Sequence, residues 1–116
     1  MQLLTSGLDA PWEITYGPDG YLWVTERMGK QVVRVNPANG EHSTTLAIAE
    51  VYSNLSQEGL LGMVLHPNLF QGTDEDYVYL AYTYATDGEQ DTRVKLRRYR
   101  AVGTPEDVQL VDPVDL

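Results

Sequence analysis

Residues 53–67 read Ser-Asn-Leu-Ser-Gln-Glu-Gly-Leu-Leu-Gly-Met-Val-Leu-His-Pro. This stretch begins as a polar loop, turns at Gly59–Gly62 and continues as a short apolar strand that ends at His66-Pro67. A segment of similar character, Trp12–Pro18, lies about 50 residues earlier, a spacing typical of repeated β-sheet units. The sequence therefore predicts that a second unit begins here and repeats the plan of the first.

The first unit is predicted to contain four short strands joined by tight turns. Apolar and polar residues alternate with period 2, and β-branched and aromatic residues are frequent, as in half-buried strands. Gly17–Gly20 (Gly-Pro-Asp-Gly) is a β-turn signal, because Pro suits the second turn position and Gly tolerates a positive φ. The predicted strands are Trp12–Tyr16, Tyr21–Thr25, Gln31–Val35 and Ser43–Ile48.

The second unit repeats this order with longer loops. Its predicted strands are Gly62–Pro67, Tyr77–Tyr84, Val94–Arg100 and Val108–Val111. Two acidic, glycine-containing insertions, Phe70–Asp76 and Thr86–Thr92, account for the greater length. The tail from Gly103 onward is predicted to be a loop, one edge strand and an exit segment, and no segment carries a convincing helix pattern.

Two such units predict an all-β fold of two four-stranded antiparallel blades, a fragment of a β-propeller. Residues 1–50 are assigned to the first blade and residues 51–116 to the second, both within one incomplete propeller domain. Two blades cannot close a ring, since propellers typically have about four to eight. Each outer face of the pair is then left open, so either a longer propeller covers these faces or the chain forms a homo-oligomer through them.

Charge and composition exclude several classes of partner. The chain carries eight Lys and Arg against 17 Asp and Glu, a formal net charge of −9. Nucleic acid and anionic membrane surfaces both require a basic face, so neither is expected as a partner. The acidic balance is compatible with a neutral substrate such as a sugar, although solubility alone explains it.

The absence of cysteine excludes disulfides, thiolate catalysis and Cys-ligated zinc. The apolar runs are only a few residues long, so no transmembrane helix is predicted. Met1–Leu4 is followed at once by Thr-Ser-Gly, with neither a basic nor an extended apolar region, and no signal peptide is predicted in this chain.

Several short motifs occur in order along the chain. They are Gly17-Pro18-Asp19, Thr25-Glu26-Arg27, Arg34-Val35-Asn36-Pro37, Gly59-Leu60-Leu61-Gly62 and Arg97-Arg98-Tyr99. Each is weak alone, but in this order, with Gln57 before Gly-Leu-Leu-Gly, they resemble the soluble quinoprotein sugar dehydrogenases of the glucose/sorbosone dehydrogenase family. The resemblance runs from about Leu8 to about Leu116.

The resemblance implies a six-bladed propeller that binds pyrroloquinoline quinone (PQQ) and calcium. Such proteins oxidise aldose sugars at the anomeric carbon, transfer a hydride to PQQ and pass the electrons to a separate acceptor. The family glutamine at the position of Gln57 contacts PQQ, where its neutral amide donates to a quinone or carboxylate oxygen without adding charge. From the residues alone, Gln57 is an exposed polar loop residue. A periplasmic or secreted location is also implied by the resemblance.

The resemblance assigns neither a catalytic nor a metal-binding residue to this chain. In the family, the catalytic Asp-His pair follows the segment that matches Leu116, and the basic residues on PQQ and the calcium ligands come later still. We therefore expect the chain alone to bind neither PQQ nor calcium and to be inactive, while the parent protein is a PQQ-dependent aldose sugar dehydrogenase.

Other polar residues are interpreted as structural. His66 corresponds to the turn at Gly17-Pro18 in the first unit, so a turn residue bonded to nearby backbone is favoured over a general base. His42 lies in a turn and is expected to be solvated. Glu26 and Arg27 are expected to form a local ion pair or to hold the following loop, because buried charges require partners.

Charged and aromatic clusters have structural explanations as well. The acidic residues within 74–76 and 87–91 suit calcium by ligand type. The second cluster lacks the EF-hand order, and solvated loops are favoured for both. Lys95 and Arg97 are expected to form ion pairs on an outer strand. The Tyr and Trp side chains are expected to fill the space between blades, with sugar stacking as the minor alternative.

The competing interpretation is non-enzymatic. The same blade pattern occurs in β-propeller ligand-binding and protein-interaction modules, in which the ring is only a scaffold. Loss of PQQ affinity on Gln57→Ala in the intact protein separates the two classes, because a scaffold does not bind PQQ at all.

Overall fold

The computed structural model describes residues 4–54, 57–86 and 91–116. The regular elements in these ranges are β1 (Pro11–Tyr16), β2 (Leu22–Glu26), β3 (Gln31–Val35), β4 (His42–Ala47), β5 (Leu60–Leu65), β6 (Tyr77–Thr86), β7 (Asp91–Thr104) and β8 (Asp107–Asp115). The described ranges contain no helix, and hence none long and apolar enough to cross a membrane.

The strands form two antiparallel sheets with the orders β1-β2-β3-β4 and β5-β6-β7-β8. This arrangement confirms the all-β fold of two four-stranded meanders, and each predicted strand overlaps an observed one. Strand β3 has the predicted bounds, and its three valines suit an extended backbone because they are β-branched.

The last two strands are longer than predicted. The predicted loop from Gly103 is wrong, because β7 runs through this residue and β8 begins directly after the turn. Only Pro105 and Glu106 separate the strands, and a two-residue connection lets the pairing continue up to the turn. Pro113 is tolerated within β8 because this strand is the sheet edge, where a missing N–H breaks no required pairing.

A hydrophobic core fills the space between the two sheets. Trp23 and Val32 from the first sheet and Leu60, Leu80 and Tyr82 from the second are fully buried there. Burial of apolar surface stabilises by about 25 cal/mol per Å². Two aromatic residues of this core, Trp23 and Tyr82, lie between the sheets as predicted, whereas Trp12 is exposed on an outer face instead. The shared core holds the sheets face to face.

A buried ion pair fixes the turn between β1 and β2. The Arg34 Nη2 atom lies 2.7 Å from Asp19 Oδ2, and the Trp23 indole N–H donates to the same carboxylate at 3.1 Å. The Arg34 guanidinium also stacks 4.0 Å from the Tyr21 ring centroid. Because a buried ion pair offsets its desolvation only with additional partners, the Trp23 and Tyr21 contacts make this arrangement tenable.

The two outer faces of the sheet pair carry exposed apolar side chains. Trp12, Ile14 and Tyr16 alternate along β1 and are 51%, 65% and 67% exposed. On the other outer face, Val94 and Leu96 of β7 are 69% and 47% exposed. Both sheets are therefore apolar on two faces but buried mainly on one.

A cluster of charged side chains around Glu50 holds the start of the segment that connects the two sheets. The Glu50 carboxylate accepts hydrogen bonds from the Tyr82 hydroxyl and from Lys95 Nζ at 3.0 Å, and lies 3.2 Å from Arg97 Nη2. Arg97 also pairs with Asp115 of β8. The predicted ion pairing of Lys95 and Arg97 is thereby confirmed, and the edge of the sheet is β8 rather than the strand that carries them.

Acid should weaken the interactions of the Glu50 carboxylate. The hydrogen bond from Tyr82, with help from Lys95 and Arg97, lowers the pKa of the Glu50 carboxyl below its unperturbed value of 4.5. A lowered pKa in the folded state stabilises above 4.5 and is lost as the pH falls through the folded-state value. We expect Glu50→Gln to lower the free energy of unfolding at pH 7 by at most about 1 kcal/mol, because the side chain is 41% exposed.

The check is urea unfolding of both proteins at pH 7 and at pH 3, followed by circular dichroism. The difference between wild type and Glu50→Gln should shrink at the lower pH. Glu106→Gln, an exposed carboxylate in the β7–β8 turn, serves as the matched control. A difference that stays constant with pH would show that the carboxylate charge is not the source.

The core between the sheets should be the main source of stability. Leu60→Ala removes a fully buried side chain, and such changes cost about 2–5 kcal/mol. Val64→Ala in the same strand changes a side chain that is 64% exposed, and we expect an effect within about 0.5 kcal/mol. Equal losses for the two variants in urea unfolding would contradict this location of the core.

Candidate functional site

Gln57 lies in a turn just before β5, and its side chain is exposed to solvent. The turn is at the end of the molecule where the β2–β3 turn also lies, because the Leu60 amide donates to the Arg27 carbonyl at 3.2 Å. The structure thus places Gln57 in the polar loop that the sequence predicted. Two neighbours in that loop, Leu55 and Ser56, lie outside the described residues.

A threonine from β6 fixes the backbone beside Gln57. The Gly59 amide donates to Thr83 Oγ1 at 2.8 Å, and the Thr83 amide donates back to the Gly59 carbonyl at 3.0 Å. The Thr83 hydroxyl in turn donates to the Tyr52 carbonyl at 2.6 Å. Both ends of the loop are therefore tied to one residue of the second sheet.

The carbonyl of Glu58 receives two further hydrogen bonds. Ser53 Oγ donates to it at 2.9 Å, and Arg27 Nη1 donates at 3.0 Å. The Asn54 amide donates to the Glu58 carboxylate at 3.3 Å. The backbone that follows Gln57 is thus anchored, while the carboxamide itself remains available to solvent.

Gly59 is required by the close approach of the two sheets. Its φ is +141°, and a Cβ atom here would lie 2.3 Å from the Arg27 carbonyl oxygen. Any other residue would have to push the loop away from the β2–β3 turn. The Gly-Leu-Leu-Gly motif therefore begins with a glycine for a steric reason that involves a residue far away in the sequence.

Glu26 holds the loop that follows it, as predicted, through a bond to Gln31 on the far side of that loop. Glu26 is almost fully buried, and its carboxylate accepts from the Asp9 amide at 2.9 Å and from the Gln31 side chain. Arg27 holds the Gln57 loop, rather than the turn that follows it, through the bonds described above. The preceding Thr25 hydroxyl donates to the Leu61 carbonyl at 2.9 Å, which adds another bond between the sheets.

His66 is a turn residue at the opposite end of β5, which ends at Leu65. Its Nδ1 atom accepts from the Asn68 amide at 3.1 Å, and its Nε2 atom lies 3.4 Å from the Glu75 carboxylate. The hydrogen bond from the Asn68 side chain lowers the pKa of the Glu75 carboxyl, and His66 adds to that effect. The predicted structural role of His66 is confirmed, and His42 is exposed, as expected.

The first acidic loop uses its carboxylates to hold its own backbone. Asp76 Oδ1 accepts from the Phe70 amide at 2.7 Å, and Glu75 accepts from the Asn68 side chain. Among residues 4–54, 57–86 and 91–116, no three His, Cys, Asp or Glu side chains are grouped as metal ligands. In the second acidic loop, residues 87–90 lie outside the described part of the chain.

A cleft of about 610 Å³ lies between β1 and β5, the first strands of the two sheets. Its lining includes Tyr16, Leu65 and Gly17-Pro18, which lie at the ends of these strands. Gln57 lies beyond their beginnings, so the cleft and the sequence-predicted cofactor contact are at opposite ends of the sheet pair.

Sequence analysis missed two residues whose hydroxyl groups hydrogen-bond to the backbone of the loop, Ser53 and Thr83. The only sequence signal at Thr83 is a hydroxyl residue between two tyrosines in an otherwise aromatic and aliphatic strand. That pattern shows no partner, because the partners at residues 52 and 59 are fixed by the packing of the loop.

Several known proteins are similar to this chain in sequence. The model of the glucose/sorbosone dehydrogenase family matches residues 8–113. Quinoprotein glucose dehydrogenase B of Acinetobacter calcoaceticus is 31% identical over 120 residues, which cover 99% of this chain and 24% of that protein. An uncharacterised Synechocystis protein is 30% identical over 95 residues, covering 76% of this chain and 22% of its own length.

Two solved structures resemble the sheet pair, and both are β-propellers, which confirms the blade interpretation. The PQQ-bound form of aldose sugar dehydrogenase from Streptomyces coelicolor matches with a TM-score of 0.72 and 25% identity, over 99% of this chain and 32% of that one. A Thermus thermophilus protein, described as an oxidoreductase (glucose dehydrogenase), matches with a TM-score of 0.73 and 31% identity, over 98% of this chain and 31% of that one.

The chain spans about a quarter to a third of the length of these relatives. The family match extends over nearly all of its residues, and it includes the Gly-Leu-Leu-Gly motif at the start of β5 and the loop anchored to Arg27. The chain therefore belongs to the glucose/sorbosone dehydrogenase family.

Proposed function

We propose that this chain forms two blades, residues 1–50 and 51–116, of a six-bladed PQQ-dependent dehydrogenase that oxidises aldose sugars at the anomeric carbon. The proposal is supported by the match to the family over residues 8–113 and by the two relatives described as sugar dehydrogenases. The open apolar faces of both sheets suit neighbouring blades, since each carries alternating exposed side chains.

The observation that carries this proposal is the anchored loop of Gln57. Its backbone is held from both sheets, while its neutral carboxamide faces solvent and can donate to a quinone or carboxylate oxygen. The Gln57 carboxamide fits PQQ as one of several contacts that the cofactor would make in the parent protein. When bound, PQQ supplies the two-electron acceptor that takes the hydride from the sugar. Gln57 then orients the cofactor without adding charge.

The remaining groups of the site belong to other parts of the proposed parent protein. His66 is held in a turn at the end opposite Gln57, so it does not serve as the general base beside the cofactor. Calcium would be held by other parts of the parent protein, since residues 4–54, 57–86 and 91–116 lack a cluster of acidic or imidazole ligands. The parent protein is proposed to be periplasmic or secreted and to pass its electrons to a separate acceptor.

The first prediction concerns Gln57 in the parent protein. Gln57→Ala should weaken PQQ binding about five- to tenfold, because one hydrogen bond contributes about 1–1.4 kcal/mol. The dissociation constant is measured by titrating the apoprotein with PQQ and following its absorption or the quenching of tryptophan fluorescence. Asn54→Ala is the matched control, because it removes an exposed amide from the same loop and should leave the dissociation constant unchanged.

A parent protein that binds no PQQ would overturn the dehydrogenase proposal and favour a non-enzymatic propeller. If PQQ binds but Gln57→Ala and Asn54→Ala behave alike, the cofactor is present and the assignment of Gln57 is wrong.

The second prediction concerns the 116-residue chain alone. Mixed with PQQ, calcium, glucose and a redox dye, it should give no dye reduction, because residues 4–54, 57–86 and 91–116 offer no imidazole base beside Gln57. Reduction above a control without protein would show that these two blades contain more of the site than proposed.

A further inference from the structure

Arg27 connects three parts of the structure that meet near Gln57. Its own amide donates to the Ala10 carbonyl at 2.8 Å, just before β1, and its carbonyl accepts from Leu60 at 3.2 Å. Its guanidinium donates to the Glu58 carbonyl at 3.0 Å and lies 6.0 Å from the Trp12 ring centroid. A single residue thus links the first strand, the β2–β3 turn and the Gln57 loop.

The two side-chain donors on the Glu58 carbonyl are not equivalent. Ser53 belongs to the same loop, only five residues earlier, so its bond moves with the loop and does not locate it. Arg27 belongs to the other sheet, 31 residues earlier, so its bond fixes the loop relative to that sheet. The peptide group that Arg27 holds follows Gln57 by one residue, and its position therefore sets the direction of the Gln57 side chain.

We propose that Arg27 is a positioning residue that holds the Gln57 loop in its ligand-binding geometry through the bond from its guanidinium to the Glu58 carbonyl. This inference rests on the proposed function, in which Gln57 contacts PQQ. Arg27 acts through Gln57, so its removal weakens PQQ binding only when Gln57 is present. The backbone bond from Leu60 to Arg27 survives substitution, and the sheets remain joined.

The test uses Arg27→Met, which keeps the apolar stem and the backbone bonds but removes the guanidinium donors. The matched control is Arg100→Met, because Arg100 also lies beside an aromatic ring, Tyr77, at the opposite end of the second sheet. In the 116-residue chain, amide exchange is measured at Gln57, Glu58 and Leu60. We expect at least one of these amides to exchange several-fold faster in Arg27→Met and at the wild-type rate in Arg100→Met.

Titration of PQQ into the parent protein completes a double-mutant cycle with Gln57→Ala. Arg27→Met should raise the dissociation constant about five- to tenfold in the wild-type background and leave it unchanged in the Gln57→Ala background, while Arg100→Met has no effect in either. An equal loss in both backgrounds would overturn the proposal, because it would show that Arg27 acts on the ligand or on overall stability independently of Gln57.

Two other outcomes separate this inference from the proposed function. If Gln57→Ala weakens PQQ binding and Arg27→Met does not, the proposed function stands and the positioning role is wrong. If the unsubstituted parent protein does not bind PQQ, the proposed function fails and the inference fails with it. Unchanged amide exchange in Arg27→Met would also overturn the positioning role, whatever the cofactor result.

Discussion

The structure depends on the close contact between Gly59 and the Arg27 carbonyl, which is where the two sheets first meet. The Leu60 amide hydrogen-bonds to that carbonyl, and a Cβ atom on Gly59 would lie only 2.3 Å from its oxygen. This contact sets where β5 begins relative to β2, and so brings Leu60 into the core that also contains Trp23. Gln57, two residues before Gly59, remains exposed to solvent next to this contact.

The distribution of apolar residues explains why the sheet pair has one full core and two unfinished faces. In a strand, successive side chains point to opposite faces, so a strand that is apolar at nearly every position needs neighbours on both sides. In β2 and β3, Trp23 and Val32 pack toward the second sheet. On the other face of these strands, Val24 and Val33 are covered by partly buried leucines of the first unit. β1 lacks such cover on one face, where Trp12 and its alternating neighbours remain exposed.

The sequence predicts the strands well because period-2 alternation and turn signals are local. β3 was predicted residue for residue, whereas the continuation of β7 past Gly103 was missed because glycine and proline nearby resemble a loop. Arg27 was predicted to act locally, but its guanidinium holds the Gln57 loop through the Glu58 carbonyl. That partner lies 31 residues away, and only the packing of one sheet against the other brings the two together. Thr83 was missed for the same reason.

The interactions of the basic side chains show what these two blades can contribute to a binding site. Arg34 is buried against Asp19. Lys95 and Arg97 pair with Glu50 in the segment that connects the two sheets. Arg27 donates to a backbone carbonyl of the Gln57 loop. These basic groups stabilise the framework, so the loop presents a neutral amide instead of a cation. In an acidic chain, a neutral hydrogen-bond donor can contact an anionic ligand without the desolvation cost of a buried charge. The charges that balance such a ligand would then come from other blades, while this part of the protein supplies orientation.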